Sequence, residues 1–325
     1  MVLRAVDLFC GAGGSSAGAS MAGAKIVAGV DAWDRAVETF AANFGNDAAL
    51  LEELHSRSKP PRFLHASGIE LLLASPECTN HSCAKGAKPR DEASRRSARY
   101  VLGYARALAP RWLIIENVVQ MRSWDGFDAF CAALRAMGYA LRTQVLDAAD
   151  FGVPQTRRRL FLLGDREAEP RVVAPKRFRA PKPASSVIKL DGPWPSRPLY
   201  SAERAAATIA RAERAMDELG RGEPFLVVYY GSDGAGGWQS LDRPLRTMTT
   251  LDRFGLVTWS GRTPMLRMLQ VDELKRAMGF PSWFKLPAGS RREKIMLLGN
   301  AVCPPLMQAI VNSLCAEAIT DMAAA

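Results

Sequence analysis

Three stretches place chemically capable side chains at the ends of apolar runs. The first is Ala74-Ser75-Pro76-Glu77-Cys78-Thr79-Asn80-His81-Ser82. It follows apolar residues 69–73, which read as a buried strand, so Pro76 breaks the strand and Cys78 opens a loop at its carboxyl end. In open α/β sheets that edge is where ligands bind, and its loops commonly carry chemistry. A free cysteine taken alone is more often a small buried hydrophobe than a nucleophile, so its company has to decide. The second stretch, Arg111-Trp112-Leu113-Ile114-Ile115-Glu116-Asn117-Val118, is a near-continuous apolar strand ended by a carboxylate and an amide. A glutamate at such a tip is costly unless satisfied, which makes Glu116 a candidate functional acid. The third stretch runs Gln155-Thr156-Arg157-Arg158-Arg159 straight into an apolar strand. Alternate strand residues share a face, so Arg157 and Arg159 point together and Arg158 points away. Two same-facing guanidiniums suit an anionic or carbonyl-rich ligand.

A separate cluster reads as a cofactor site. A short strand over residues 4–9 meets the turn Cys10-Gly11-Ala12-Gly13-Gly14-Ser15-Ser16, and a helix follows to about residue 22. Glycines let backbone approach a ligand closely, and the helix start beyond offers unpaired N–H groups. A second apolar run, 25–30, ends in Asp31, about twenty residues past the glycines, where such folds place an acid on ribose hydroxyls. Trp33 is then placed to stack on an adenine. Each feature has a bland alternative: Asp31 could cap the helix predicted over 35–43, and Trp33 could be core. Together they describe a site for an adenosine-type cofactor.

The frame that must position these residues is an alternation of strands and helices. Helices are predicted over 98–109 and 125–137, with a strand over 141–146 between the second helix and the arginine run. Residues 84–99 carry Lys85, Lys88, Arg90, Arg95, Arg96 and Arg99, a solvated face or a grip on phosphates next to Cys78. After Gly164 the texture changes. Residues 166–200 are proline-rich and basic and read as a linker or a DNA-facing segment. A helix over 200–219 and a strand over 224–230 then belong to a smaller second domain. The chain has 325 residues, and 43 Lys and Arg against 33 acids give a formal charge of +10, which suggests a polyanionic partner. Six cysteines without a CxxC pair and only three histidines give no zinc spacing, predicting reduced thiols, no metal and a cytoplasmic location. No apolar run is long enough to span a bilayer.

Taken in order, these stretches resemble the motif series of the DNA (cytosine-5) methyltransferase family, over nearly the whole chain. Asp7-Leu8-Phe9-Cys10-Gly11-Ala12-Gly13-Gly14 is similar to its first motif, and Pro76 with Cys78 to its nucleophile motif. Glu116-Asn117-Val118 and Gln155-Thr156-Arg157-Arg158-Arg159 resemble the next two, Arg243 to Thr250 the recognition motif, and Gly299-Asn300-Ala301-Val302 the closing one. The resemblance implies an α/β, Rossmann-like S-adenosylmethionine-dependent fold with a mixed, mostly parallel sheet. It implies a catalytic domain over 1–165, a target-recognition domain over 166–265, and hinge and C-terminal helices over 266–325. Cys78 would add to carbon 6 of a flipped-out cytosine, Glu116 would hold or protonate ring nitrogen 3, and Asn117 would position its strand tip. Arg157 and Arg159 would bind the carbonyl oxygen at carbon 2 and steady the loop. Asp7, Phe9, Gly11, Gly13, Gly14, Asp31, Trp33, Pro76, Asn300 and Val302 would line the site of S-adenosyl-L-methionine, with S-adenosyl-L-homocysteine as product. Double-stranded DNA would be the partner of a monomer that needs neither metal nor membrane.

Three departures from the family pattern stand out. Glu77 separates Pro76 from Cys78, and Thr79 stands where the family has Gln; Cys78 keeps its distance from Ser82, with Cys83 the alternative thiol. The acid-Ile pair of the third strand is missing near Ala66-Ser67-Gly68-Ile69. Trp259-Ser260-Gly261-Arg262-Thr263-Pro264 is abrupt, which predicts missing loop residues at one or both joins. An RNA (transfer RNA) cytosine methyltransferase and a degenerate homologue that binds without turnover remain open alternatives.

Overall fold

Apolar runs without alternation predict strands covered on both faces, and the first sheet is built that way. The computed structural model describes residues 2–76, 92–175, 180–230, 237–287 and 289–318, without the side chains of 92–96. The first half runs β1 (Arg4–Leu8), α1 (Gly14–Met21), β2 (Lys25–Asp31), α2 (Asp34–Phe44), β3 (Ala49–Leu51), α3 (Arg62–Ala66) and β4 (Leu71–Ala74). It continues with α4 (Glu92–Leu108), β5 (Trp112–Asn117), α5 (Phe127–Ala136), β6 (Ala140–Asp147) and β7 (Arg158–Asp165). Seven strands order as β3-β2-β1-β4-β5-β7-β6; β1 to β5 are mutually parallel, and β7 runs antiparallel to both its neighbours. Successive residues of the central strands serve opposite cores. Leu71, Leu73, Trp112, Ile114, Phe161 and Leu163 pack on one face. Leu72, Ala74, Leu113, Ile115, Leu160 and Leu162 pack on the other.

The second half runs β8 (Arg197–Pro198), α6 (Ala206–Leu219), β9 (Phe225–Val228), β10 (Trp238–Ser240), β11 (Phe254–Ser260) and β12 (Thr263–Met268), then α7 (Val271–Ala277), α8 (Arg291–Asn300) and α9 (Pro304–Leu314). Its five strands form a second sheet in the order β10-β9-β11-β12-β8. Phe225, Val227 and Val257 face Ala212, Ala215 and Met216 of α6, whereas Leu226, Val228, Phe254 and Leu256 join the core of the first sheet. The two sheets therefore share one hydrophobic core. Residues 291–314 are apolar enough in composition to suggest a membrane span, but Ala301-Val302-Cys303 divides them into two helices, and about two thirds of their most apolar 18-residue window is buried. In α9, Pro304 and Met307 lie so close to α1 that a Cβ on Gly18 would stand 2.5 Å from the Pro304 oxygen. That contact returns the chain's end to its beginning.

Three expectations are corrected. Residues 166–200 are not a linker outside the core: Val173, Ala184, Val187 and Ile188 are buried in it, and Gln144 of β6 both donates to and accepts from the Val173 backbone. The prolines and lysines there mask four apolar anchors. No loop is missing at 259–264, because Ser260 pairs with Thr263 across a two-residue hairpin turn whose Gly261 has φ +58°. The third strand is β3, well before residues 66–69; those form the end of α3 and a turn at Gly68, φ +60°, into β4. Helix α4 also begins earlier than residue 98, at Glu92.

Candidate active site

Parallel strands deliver their carboxyl ends to one edge, and β1, β4 and β5 are neighbours there: Leu8 pairs with Ala74, and Ala74 with Ile115. The glycine turn, the Ser75-Pro76 exit from β4 and the Glu116-Asn117 tip of β5 therefore lie side by side, about 5 Å apart per strand. Ser75 donates its backbone N–H to the Leu8 carbonyl, tying two of these exits together. Cys78, Glu77 and Cys83 lie outside the described residues.

Glu116 is 6% exposed, and its Oε1 lies 3.2 Å from Nε of Arg159, which reaches it from β7 across the antiparallel β5–β7 ladder. Burial raises the carboxyl's pKa, opposed by Arg159, then Arg157, then the nearby Ser75 hydroxyl, which makes no hydrogen bond of ordinary geometry. Desolvation wins, so the acid holds its proton to higher pH than an exposed glutamate does. Asn117 is fully engaged: Nδ2 donates to the Pro76 carbonyl at 3.1 Å, and Oδ1 accepts from the Val118 N–H. It fixes Pro76, two residues before Cys78.

The arginine run alternates as β-strand geometry requires, with Arg157 2% exposed, Arg158 exposed and Arg159 partly buried. The two inward arginines nevertheless differ in their contacts. Arg157 donates to the backbone carbonyls of Met248 at 3.0 Å and Gly299 at 2.7 Å, and its own N–H is held by Asp147. Arg159 pairs with Glu116. The Cys303 thiol lies near the same guanidiniums, yet burial pushes its pKa up to about 11. A thiol that stays protonated is no nucleophile.

On the other side, the glycine turn adopts conformations that favour glycine, at Gly11, φ +51°, and Gly13, φ +84°, while Phe9 takes φ +56° without being one. A left-handed, half-buried phenylalanine stores strain of the kind found at ligand sites. Asp31 accepts from the Gly11 N–H at 2.8 Å and from the Trp33 N–H at 2.9 Å, so each carboxyl oxygen orders one wall of the hollow and keeps a lone pair for a ligand. Trp33 is half-buried at the start of α2, and Asn300 is exposed at the end of α8. Gly14 and Val302 meet backbone to backbone, since a Cβ on Gly14 would stand 2.2 Å from the Val302 oxygen.

Asp7 departs from the expected ligand contact. Its side chain is wholly buried, one oxygen accepting from the Ser16 hydroxyl at 2.7 Å, so it shapes the turn from beneath. Burial raises its pKa from 3.8 to about 7. The protonated form is thus the one the fold prefers. Its contribution to stability is complete below about pH 4 and is lost as pH rises through about 7. Urea titrations should show wild type losing up to about 4 kcal/mol relative to Asp7→Asn between about pH 4 and pH 8. An identical slope in both proteins would contradict this.

One residue escaped the sequence reading. Glu52 directly follows β3, its N–H donates to the Asp31 carbonyl at 3.0 Å, and the residue is partly exposed. The signal was present as Ala48-Ala49-Leu50-Leu51 followed by two acids, but a three-residue strand is too short for periodicity to reveal.

The C-5 cytosine-specific DNA methylase family matches residues 3–316. The chain belongs to this family. Among curated relatives of the chain, the type II methyltransferase M.HgiDI of Herpetosiphon aurantiacus is 36% identical over 167 residues, half of this chain and 52% of the relative. M.HindV of Haemophilus influenzae is 28% identical, over 53% of this chain and 56% of its own length. The chain thus spans about half the length of the first curated relatives it matches. M.BsuFI of Bacillus subtilis is 25% identical over 96% of this chain and 72% of its own. Spodoptera frugiperda DNMT2 shares the fold at a TM-score of 0.69 and 18% identity, covering 96% of this chain and 99% of that one. A putative DNA modification methyltransferase encoded in an Escherichia coli prophage does so at 0.67 and 18%, covering 97% and 99%.

Proposed function

We propose that this methylase transfers a methyl group from S-adenosyl-L-methionine to carbon 5 of a cytosine swung out of double-stranded DNA, as a sequence-specific enzyme of the restriction-modification type. The observation that carries the reading is the buried Glu116–Arg159 pair, set beside the Pro76 exit on one flank and two strands from the glycine turn. The hollow fits the cofactor: left-handed backbone at Phe9, Gly11 and Gly13 opens room, Asp31 keeps acceptor capacity for ribose hydroxyls, and Asn300 offers an exposed amide toward the methionine end. When bound, the cofactor supplies an electrophilic methyl group on a sulfonium.

The chain's own residues make carbon 5 able to accept it. The Cys78 thiolate bonds to carbon 6, the electrons of the 5,6 double bond move into the ring, and Glu116 gives its proton to nitrogen 3 as that charge arrives. Arg159 donates to the oxygen at carbon 2, stabilising the same charge. As carbon 5 takes the methyl group, nitrogen 3 returns its proton to Glu116; a water then takes the proton from carbon 5, that electron pair reforms the 5,6 double bond, and the carbon–sulfur bond breaks with the thiolate leaving. Asn117 holds the loop through Pro76. Arg157 positions rather than touches the base, because its guanidinium already spans two backbone carbonyls. Residues 166–265 read the sequence in the major groove, and 266–325 return to the catalytic domain. Both faces of the ring are hidden in a duplex, so the base must leave the stack.

Glu52 completes the cofactor site as the acceptor for the adenine amino group. Glu52→Ala is expected to weaken S-adenosylmethionine binding about 10-fold, one hydrogen bond to a charged group, with kcat little changed; calorimetry showing unchanged affinity would remove Glu52 from the site. The function itself is tested by incubating the protein with plasmid DNA or bulk transfer RNA and labelled S-adenosylmethionine, then analysing nucleosides by mass spectrometry. The reading predicts 5-methyldeoxycytidine from the DNA alone. Label only in RNA would favour the transfer RNA reaction, and binding without product a degenerate homologue.

A further inference from the structure

Cofactor hollow and recognition sheet are joined by direct backbone contact at two glycines. At the cofactor end Gly14 lies against Val302, and three residues earlier Gly299 lies against the recognition segment: a Cβ on Gly299 would stand 2.3 Å from the Thr249 oxygen and 2.8 Å from the Thr250 nitrogen. Neither neighbour is a flexible side chain that could swing aside. Arg157 closes the junction by donating at once to Met248, in the recognition segment, and to Gly299, in α8. Around it, Gln155 accepts from the Met248 N–H and donates to the Ala277 carbonyl at the end of α7, and Thr156 and Leu245 pair through the Thr156 N–H. Two residues along β7 from Arg157 stands Arg159, on Glu116.

Resting on the function proposed above, we infer that Arg157 and Gly299 are positioning residues that couple cofactor occupancy to the grip on DNA. A ligand that orders the turn at Gly14 and the amide of Asn300 orders Val302 and Gly299 with them. Gly299 seats Thr249, and the Arg157 fork holds that seat to the strand bearing Arg159. The base-binding side is then assembled most fully when the cofactor side is filled, and linkage makes the effect reciprocal. Lysine cannot replace this fork, since a point charge offers no planar pair of donors for two fixed carbonyls.

The test measures the dissociation constant for a duplex carrying the site mapped by methylation, with and without saturating S-adenosyl-L-homocysteine, for wild type, Gly299→Ala and Arg157→Lys. Wild type is expected to bind DNA about 10-fold more tightly with the product present, within the usual range of coupling. In both variants the ratio should fall to within about twofold of one, while affinity for S-adenosyl-L-homocysteine alone stays within about threefold of wild type. A loss of packing alone would weaken binding without changing that ratio. A ratio near one in wild type, or an undiminished ratio in either variant, overturns the inference; should Gly299→Ala fail to fold, Arg157→Lys decides alone. Wild type that binds neither ligand would instead defeat the functional reading.

Discussion

Replacing Glu116 by Gln is expected to lower kcat for cytosine methylation by about 10²- to 10⁴-fold, the usual contribution of a positioned proton donor. Gln keeps the shape of the side chain and can still meet Arg159, so the fold and the affinity for S-adenosylmethionine should stay near wild type. What it cannot do is hand a proton to the ring when the thiolate adds. Burial raises Glu116's pKa against the pull of Arg159 and Arg157, so the proton-bearing form persists to higher pH than in an exposed glutamate. The alkaline limb of the wild-type kcat profile therefore belongs to Glu116, and it should vanish in the variant. Stopped-assay kinetics across pH, with calorimetry of cofactor binding, check both parts. A large loss of cofactor affinity would show that Glu116 is misplaced.

The larger effect belongs to Cys78. Cys78→Ser should lower methylation by at least about 10⁴-fold, because a hydroxyl ionises far less readily than a thiol and the reaction loses its covalent route. DNA binding should survive. The described residues narrow the choice of nucleophile: Cys10, Cys131, Cys303 and Cys315 are all buried, and each has its pKa pushed up by burial. Cys78 and Cys83, the remaining two thiols, lie outside the described residues; the motif resemblance selects Cys78, and Cys83 is the control. Activity retained in Cys78→Ser and lost in Cys83→Ser would transfer the role.

Much of the catalytic half was legible because its strands are buried on both faces. Residues 69–73, 111–118 and 158–164 are largely apolar runs; the first two lead out to Ser75-Pro76 and Glu116-Asn117 at the working edge of the sheet, and the third, antiparallel, begins there with its arginines. The glycine turn was legible for a different reason, since its left-handed backbone demands the residues it has. The unread parts share a physical cause. Strands β3, β8 and β10 have three, two and three residues, too few to show a period. The anchors of residues 166–200 are single apolar side chains among prolines and lysines. Arg157 looked like a twin of Arg159 because strand geometry does place them on one face; its partners lie 91 and 142 residues away and follow from the fold alone.

Covalent trapping tests the central claim most directly. Wild type, Cys78→Ser and Cys83→Ser are incubated with S-adenosylmethionine and a duplex in which the target cytosine is 5-fluorocytosine, whose fluorine replaces the proton that must leave carbon 5. After denaturing electrophoresis and peptide mapping, wild type and Cys83→Ser should carry the DNA on the peptide containing Cys78, and Cys78→Ser should carry none. An adduct of equal yield in Cys78→Ser would contradict the account.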